Sequence, residues 1–117
     1  MRHRKEGKKF GRLTGRRKSF LRNLVTALIR SGKIETTEVR AKAIRPMAER
    51  MVTIAKKQDL ASRRLLLARL QNKSAVSRLV DEIGPKYAER KGGYLRIVKS
   101  GKTKKRDGSK LAVIEFV

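Results

Sequence analysis

From Phe20 onward, Leu21, Leu24, Val25 and Leu28 recur at three- and four-residue spacing, which predicts a helix with one buried stripe. Thr14 stands where an N-cap belongs, and Gly32 is placed to end the helix. Arg16, Arg17, Arg22 and Arg30 then fall largely off the buried stripe. "KIETT", residues 33–37, is short and β-branched and reads as a strand of about four residues. A second helix is expected from Thr37, carried by Ile44, Met47, Ala48, Met51 and Ala55. Pro46 interrupts it, so that helix either kinks or becomes regular later than its pattern suggests. Asp59 and Asn72 each precede an apolar-periodic segment, "LASRRLLLARL" and "KSAVSRLVDEI", and read as N-caps of short helices. Gly84 and Pro85 are expected to close the last of them. "GGYLRIVK" gives a turn and a strand from Tyr94 to Lys99, and "LAVIEFV" a strand from Leu111 to Val117.

The order helix, strand, three helices, strand, strand predicts an α+β fold. In it a small three-stranded mixed sheet is covered on one face by about four helices. The mixed sheet follows from the long connection that runs from "KIETT" across three helices to the C-terminal hairpin. Residues 1–13 have little apolar content and cannot offset the entropy of folding alone, so they read as a flexible basic arm, disordered until bound. Residues 14–117 then form a single domain, with a basic loop at 100–110 between the last two strands. Aromatic residues make up 4% of the 117 and tryptophan is absent, so the core is expected to be thin and built from Leu, Ile, Val, Ala and Met.

Charge changes the picture from a generic small domain to one with a polyanionic partner. Lys and Arg number 33 against 10 Asp and Glu, a formal net charge of +23, with a pI near 11.6. Nucleic acid is the leading partner class at such a balance, and an anionic membrane surface is the lesser competitor. The absence of cysteine excludes disulfides and thiolate zinc sites. No apolar run approaches the roughly 18 residues of a spanning helix, so no membrane span is expected, and with nucleic acid as the partner no membrane is called for. The opening "MRHRKEGKKFGRLTGRRK" has no apolar segment before a small-residue cleavage site and is not read as a secretory signal. It is too rich in Lys and Gly to favour a transit peptide.

The cations fall into two runs. Nine lie between Arg2 and Lys18, and six between Lys99 and Lys110, each run with a single acid, Glu6 or Asp107. Such runs are costly in self-repulsion, and phosphate oxygens are the partner that removes the cost. Were about eight phosphates neutralised, affinity would fall with salt at a log-log slope of about −6 to −7. The candidate RNA-binding residues are Arg2, His3, Arg4, Lys5, Lys8, Lys9, Arg12, Arg16, Arg17, Lys18, Arg22, Lys102, Lys104, Lys105 and Arg106. No zinc-finger spacing, basic zipper or aromatic RNP strand is present. Backbone-following of folded RNA is thus favoured over reading bases in a groove. Charge alone leaves open a DNA-compacting protein.

Catalysis finds little footing. Glu35 and Glu38 sit close together, but Glu38 falls in a first helical turn after the cap Thr37, where an acid favours the helix dipole. Glu35 alternates with Ile34 and Thr36 on the strand and should face away from the core. The single histidine, His3, lies in the arm without a partner set for a triad or a metal. "GKT" at 101–103 lacks the leading glycine and the strand-to-helix context of a phosphate loop, and "KTKKR" needs no nuclear-import reading beside the phosphate-facing one. No enzyme activity, cofactor or metal is expected.

Taken in order, "MRHR", "RRKSFLRNL", "IETTEVRAKAIRPMAE", "IAKKQDLASRRL", "IGPKYAERKGGYLRIVK" and "LAVIEFV" cover nearly the whole chain, and together they resemble the bacterial large-subunit ribosomal protein seventeen family. The resemblance implies a structural component of the large ribosomal subunit in the cytoplasm, bound to 23S-type ribosomal RNA beside neighbouring large-subunit proteins and monomeric when free. It also implies a place on the subunit's outer surface near the nascent-chain exit. Two departures stand out. Arg16 replaces a histidine common in the family, and "KKRDGSK" has Asp107 before Gly108 where the family usually has the reverse order.

Overall fold

In the computed structural model, residues 14–105 and 107–117 are described. Helix α1 (Thr14–Ser31) turns at Gly32 into strand β1 (Lys33–Thr37), and helices α2 (Glu38–Ala55) and α3 (Leu60–Leu70) follow. Helix α4 (Lys73–Arg78) runs through a π-helical segment (Leu79–Ile83) into the short helix α5 (Gly84–Lys86). Strands β2 (Leu95–Thr103) and β3 (Lys110–Phe116) complete the chain. The α+β class expected from the pattern is the one observed.

Gly32 has a φ of +87°, a left-handed value that costs a glycine little. Its N–H meets the Leu28 carbonyl at 2.7 Å, closing α1 as expected. The capping expected of Thr14 concerns a side chain outside the described set. The other three caps form. The Thr37 hydroxyl accepts from the Arg40 N–H at 3.3 Å, Asp59 from Ser62 at 2.7 Å and Asn72 from Ala75 at 2.9 Å. Each satisfies a backbone donor that the first helical turn would leave orphaned.

Pro46 neither delays nor ends α2, which is helical from Glu38 to Ala55. The missing donor leaves only the Lys42 carbonyl unserved within the helix. The last helical stretch departs from expectation. Gly84 and Pro85 do not close it. The helix widens instead, and the Gly84 N–H reaches the Leu79 carbonyl. One more turn then forms, in which Pro85 needs no donor. The widening sets Gly84 against the end of α2, where a Cβ would lie 2.9 Å from both the Ala55 carbonyl oxygen and Gln58 Nε2. Gln58, at a φ of +60°, donates from Nε2 to the carbonyls of Ala55 and Val80 and so ties the two helices together.

The sheet order is β1-β3-β2, and both ladders are antiparallel. The mixed sheet expected from the sequence is therefore corrected to a fully antiparallel one. The long helical connection does return the chain in the same direction, so β1 and β2 run parallel to each other. β3 lies between them and runs opposite to both, which leaves no parallel ladder. Ile34 pairs with Ile114, and Ile114 with Ile97. These residues, with Thr36, Ala112 and Leu95, form the face turned toward the helices. The opposite face carries Lys33, Glu35, Arg96, Val98, Val113 and Glu115, and Val98 there is 48% exposed.

One hydrophobic cluster joins Val25, Leu28 and Ile29 of α1 to Ala41, Ile44, Ala48 and Val52 of α2, with Leu66, Leu79, Leu95 and Ile114. Each such Leu or Ile contributes roughly 1.5–3 kcal/mol by leaving water. Contrary to the expectation of an aliphatic core, two tyrosines join it. Tyr87 and Tyr94 are buried with ring centroids 5.3 Å apart, and the Tyr87 ring lies 6.3 Å from that of Phe116. The Glu49 carboxylate anchors β2 by accepting from the N–H groups of Tyr94 at 3.3 Å and Leu95 at 3.1 Å.

Candidate nucleic-acid interface

Most of the exposed cations belong to three elements. On α1, Arg16 and Lys18 are exposed, while Arg17 and Arg22 are half-buried along their stems. Arg22 also donates to the Ser19 hydroxyl at 3.4 Å. On the hairpin, β2 runs further than the sequence suggests, to Thr103, so Lys102 is a strand residue and only 104–109 form the connection. Gly101, Lys102 and Thr103 thus end a strand rather than open a helix, which removes the phosphate-loop context altogether. Arg2, His3, Arg4, Lys5, Lys8, Lys9, Arg12 and Arg106 lie outside the described residues.

The hairpin tip is held by its own hydrogen bonds. Lys104 N–H donates to the Ser109 carbonyl at 2.9 Å, and Gly108 N–H to the Lys104 carbonyl at 3.0 Å. Asp107 accepts from the Ser109 N–H at 3.0 Å. That bond, the Ser109 hydroxyl and the nearby Lys104 charge hold the Asp107 carboxyl below its ordinary range. The order Asp-Gly suits this turn, because Gly108 occupies a φ of +70°. Further down, Gly101 has a φ of +78° at a bulge between Lys99 and Thr103, and the Ser100 hydroxyl reaches the Leu111 carbonyl at 3.1 Å. A bulge there increases twist and re-aims the cations beyond it.

The third element is the start of α2, and it joins the other two. Arg40 places its guanidinium 4.8 Å from the centroid of the Phe20 ring on α1, a cation-π contact. On its other side Arg40 lines a cleft with Thr37, Glu38, Val39, Lys104, Asp107, Ser109 and Lys110. The sequence therefore pointed to two separate basic runs, and the fold connects them through a residue it did not single out. Arg40, Lys42, Arg45, Lys99 and Lys110 were all missed as candidates. Lys99 and Lys110 bound the basic run already counted; on α2, Lys42 falls on the side away from Ile44 and Ala48, whereas Arg40 and Arg45 border the buried stripe and carried no local signal.

Glu35 and Glu38 are kept apart by the fold. Glu35 is exposed on the outer sheet face, and among the described residues it makes no ion pair. Glu38 lies 3.8 Å from Lys42 on the next turn, and it lines the three clefts that hold Lys42, Arg45, Lys99, Lys102, Lys104 and Lys110. It is the internal counter-ion of a cationic surface. Among the described residues, no three His, Cys, Asp or Glu side chains come together to hold a metal ion. Nor is any helix among them long and apolar enough to cross a membrane.

The profile of the family described as "Ribosomal protein L17" matches residues 20–117. The chain belongs to the ribosomal protein L17 family. It is 52% identical over 110 residues to the large ribosomal subunit protein bL17 of Moorella thermoacetica, covering 94% of this chain and 97% of the relative. The bL17 protein of Clostridium botulinum strain Hall is 51% identical over 110 residues, 94% of this chain and 96% of that one. That of Acidobacterium capsulatum is 50% identical over all 117 residues, which span 72% of the relative. Family membership bears out the resemblance seen in the ordered motifs. The L17 match takes in α1 from Phe20, the Thr37 joint and the whole hairpin, while Arg16, Arg17 and Lys18 precede it.

Proposed function

We propose that this chain is a structural, non-catalytic constituent of the large ribosomal subunit that stabilises large-subunit ribosomal RNA through phosphate contacts and so supports translation. The observation that carries the RNA part is Arg40, which joins the basic first half of α1 to the basic hairpin. Phosphates laid across one edge of the protein would meet Arg16, Arg17 and Lys18, then Arg40, then Lys104 and Lys110. Arg22, Lys102 and Lys105 add contacts to these, and Arg2, His3, Arg4, Lys5, Lys8, Lys9, Arg12 and Arg106 complete the set of phosphate-binding residues. The free protein acts as a monomer, with neighbouring large-subunit proteins as further partners in the cytoplasmic ribosome. Arginine's planar fork suits phosphate oxygens, and the scarcity of aromatic side chains leaves little means of reading bases.

Two measurements test this. The tagged protein should co-sediment with large subunits at moderate salt, and its absence from them would overturn the reading. A competition between duplex DNA and folded large-subunit RNA separates it from DNA compaction driven by charge alone, because equal affinities would favour the latter. Removing residues 1–13 should leave the circular dichroism of the domain intact while weakening RNA binding severely. Loss of the folded signal on that deletion would contradict the division into arm and domain.

A further inference from the structure

On the flank of α2, adjoining the Arg40 cleft at Glu38, a second groove runs between α2 and β2. It is lined by Glu38, Lys42, Arg45, Pro46, Ile97 and Lys99 and has a volume of about 380 Å³, within the range of sites that hold small organic ligands. β2 is an edge strand, paired only with β3, so this side of it is not closed by another strand. We infer that this groove holds one unpaired RNA nucleotide, its base on the apolar floor and its phosphates at the cationic rim. The inference rests on the RNA reading above and adds to it a site of different chemistry.

The floor and the rim point to the same ligand. Pro46 is exposed in mid-helix and Ile97 is half-buried beside it, which gives a small apolar surface with no donor on the proline nitrogen. Lys42, Arg45 and Lys99 stand around it, all exposed. The two acids nearby are already engaged. Glu38 faces Lys42 at 3.8 Å. Glu49, 3.9 Å from Arg45, has its oxygens on the N–H groups of Tyr94 and Leu95. A duplex presents phosphates on a convex surface and keeps its base faces stacked, so it can meet the rim but cannot fill the floor. An unpaired nucleotide offers a flat apolar face bracketed by two phosphates, which matches both. An acidic peptide would satisfy the rim and leave the floor to chance.

The test uses the full chain and two probes, a six-nucleotide single-stranded RNA without self-complementarity and an RNA duplex of the same length. Two variants are made. Lys42→Gln with Lys99→Gln removes two rim charges and leaves Arg45 beside Glu49. Pro46→Glu puts a carboxylate on the floor at an exposed position where glutamate favours the helix. Single-strand affinity should fall about tenfold in each. The lysine variant should also lose about 1.4 units of log-log salt slope, two contacts at roughly 0.7 each. Duplex affinity should change less than threefold in Pro46→Glu, and in the lysine variant, whose two cations also belong to the general phosphate-binding surface, it should fall by clearly less than single-strand affinity. Equal losses on the two probes, or no loss on the single strand, would overturn the groove while leaving the phosphate-binding reading intact. A parent chain that binds neither probe would overturn both. Cross-links from Lys42 and Lys99 in assembled subunits that reach only protein carboxylates would reassign the groove to a protein partner and overturn the proposal.

Discussion

Replacing Glu49 by alanine removes the acceptor for two consecutive backbone N–H groups at the place where β2 enters the sheet. The Glu49 side chain is 22% exposed, so water replaces it only in part, and the Tyr94 and Leu95 residues it holds are buried. Hydrogen bonds to a charged group contribute about 1.5–3 kcal/mol each. At 3.3 and 3.1 Å these two belong at the weak end, giving about 3 kcal/mol together. The Arg45 contact at 3.9 Å is an exposed pair and adds no more than a few tenths of a kcal/mol. Glu49→Gln keeps one acceptor oxygen but turns an amide donor toward the other N–H, so it should cost roughly half as much. Urea unfolding followed by circular dichroism, in enough salt to screen the chain's self-repulsion, should show the midpoint fall with an unchanged m-value. In a thermal scan the alanine variant should melt roughly 8–15 °C lower. A loss below about 0.5 kcal/mol for Glu49→Ala would refute the reasoning and move the anchoring of β2 to its ladder with β3.

Gly84→Ala should destabilise by about 1–3 kcal/mol in the same urea assay, because the added Cβ meets the Ala55 backbone, which cannot yield, as well as the Gln58 side-chain amide. A neutral result would mean the π-helical segment relaxes. Arg40→Ala should reduce the log-log salt slope for duplex RNA by about 0.9, one phosphate contact, with the far-ultraviolet circular dichroism unchanged; an unchanged slope would remove Arg40 from the interface. Acid sensitivity follows from Asp59, whose carboxyl is held below its ordinary range first by the Ser62 hydroxyl and then by the Ser62 N–H, and from Asp107. A depressed folded pKa gives stability that is present above the unfolded value and lost as pH falls through the folded one. The parent chain should therefore lose stability below the usual carboxylate range. Asp59→Asn, which keeps a capping oxygen, should flatten that loss, and an unaltered pH profile would contradict it.

What the sequence disclosed was local. The α1 stripe, the stop at Gly32 and the caps at Thr37, Asp59 and Asn72 depend on neighbours three or four residues away, and all were legible. The strand order was not, because Ile34 meets Ile114 across nearly the whole chain and no local signal records that pairing. The π-helical segment was hidden for a similar reason. It goes with the close approach of Gly84 to Ala55, a contact between distant segments. Of the interface, the cations of α1 and the hairpin could be named from charge density, whereas Arg40 reads locally as an ordinary first-turn residue. Its importance comes from Phe20 on one side and Lys104 on the other, and only the folded chain brings them there.

The central position of β3 has a consequence for how the molecule is made. The ribosome synthesises β1 and β2 first, and neither has a partner until residues 110–116 follow. The helices can collect beforehand, but the sheet waits for its middle strand and closes late, as long-range pairings do. A nonsense mutation just before Lys110 would leave the helices and two strands and yet take the keystone. Both remaining strands would be left as open edges, prone to pair with other chains. Such a truncation should behave as a null allele rather than a mild one.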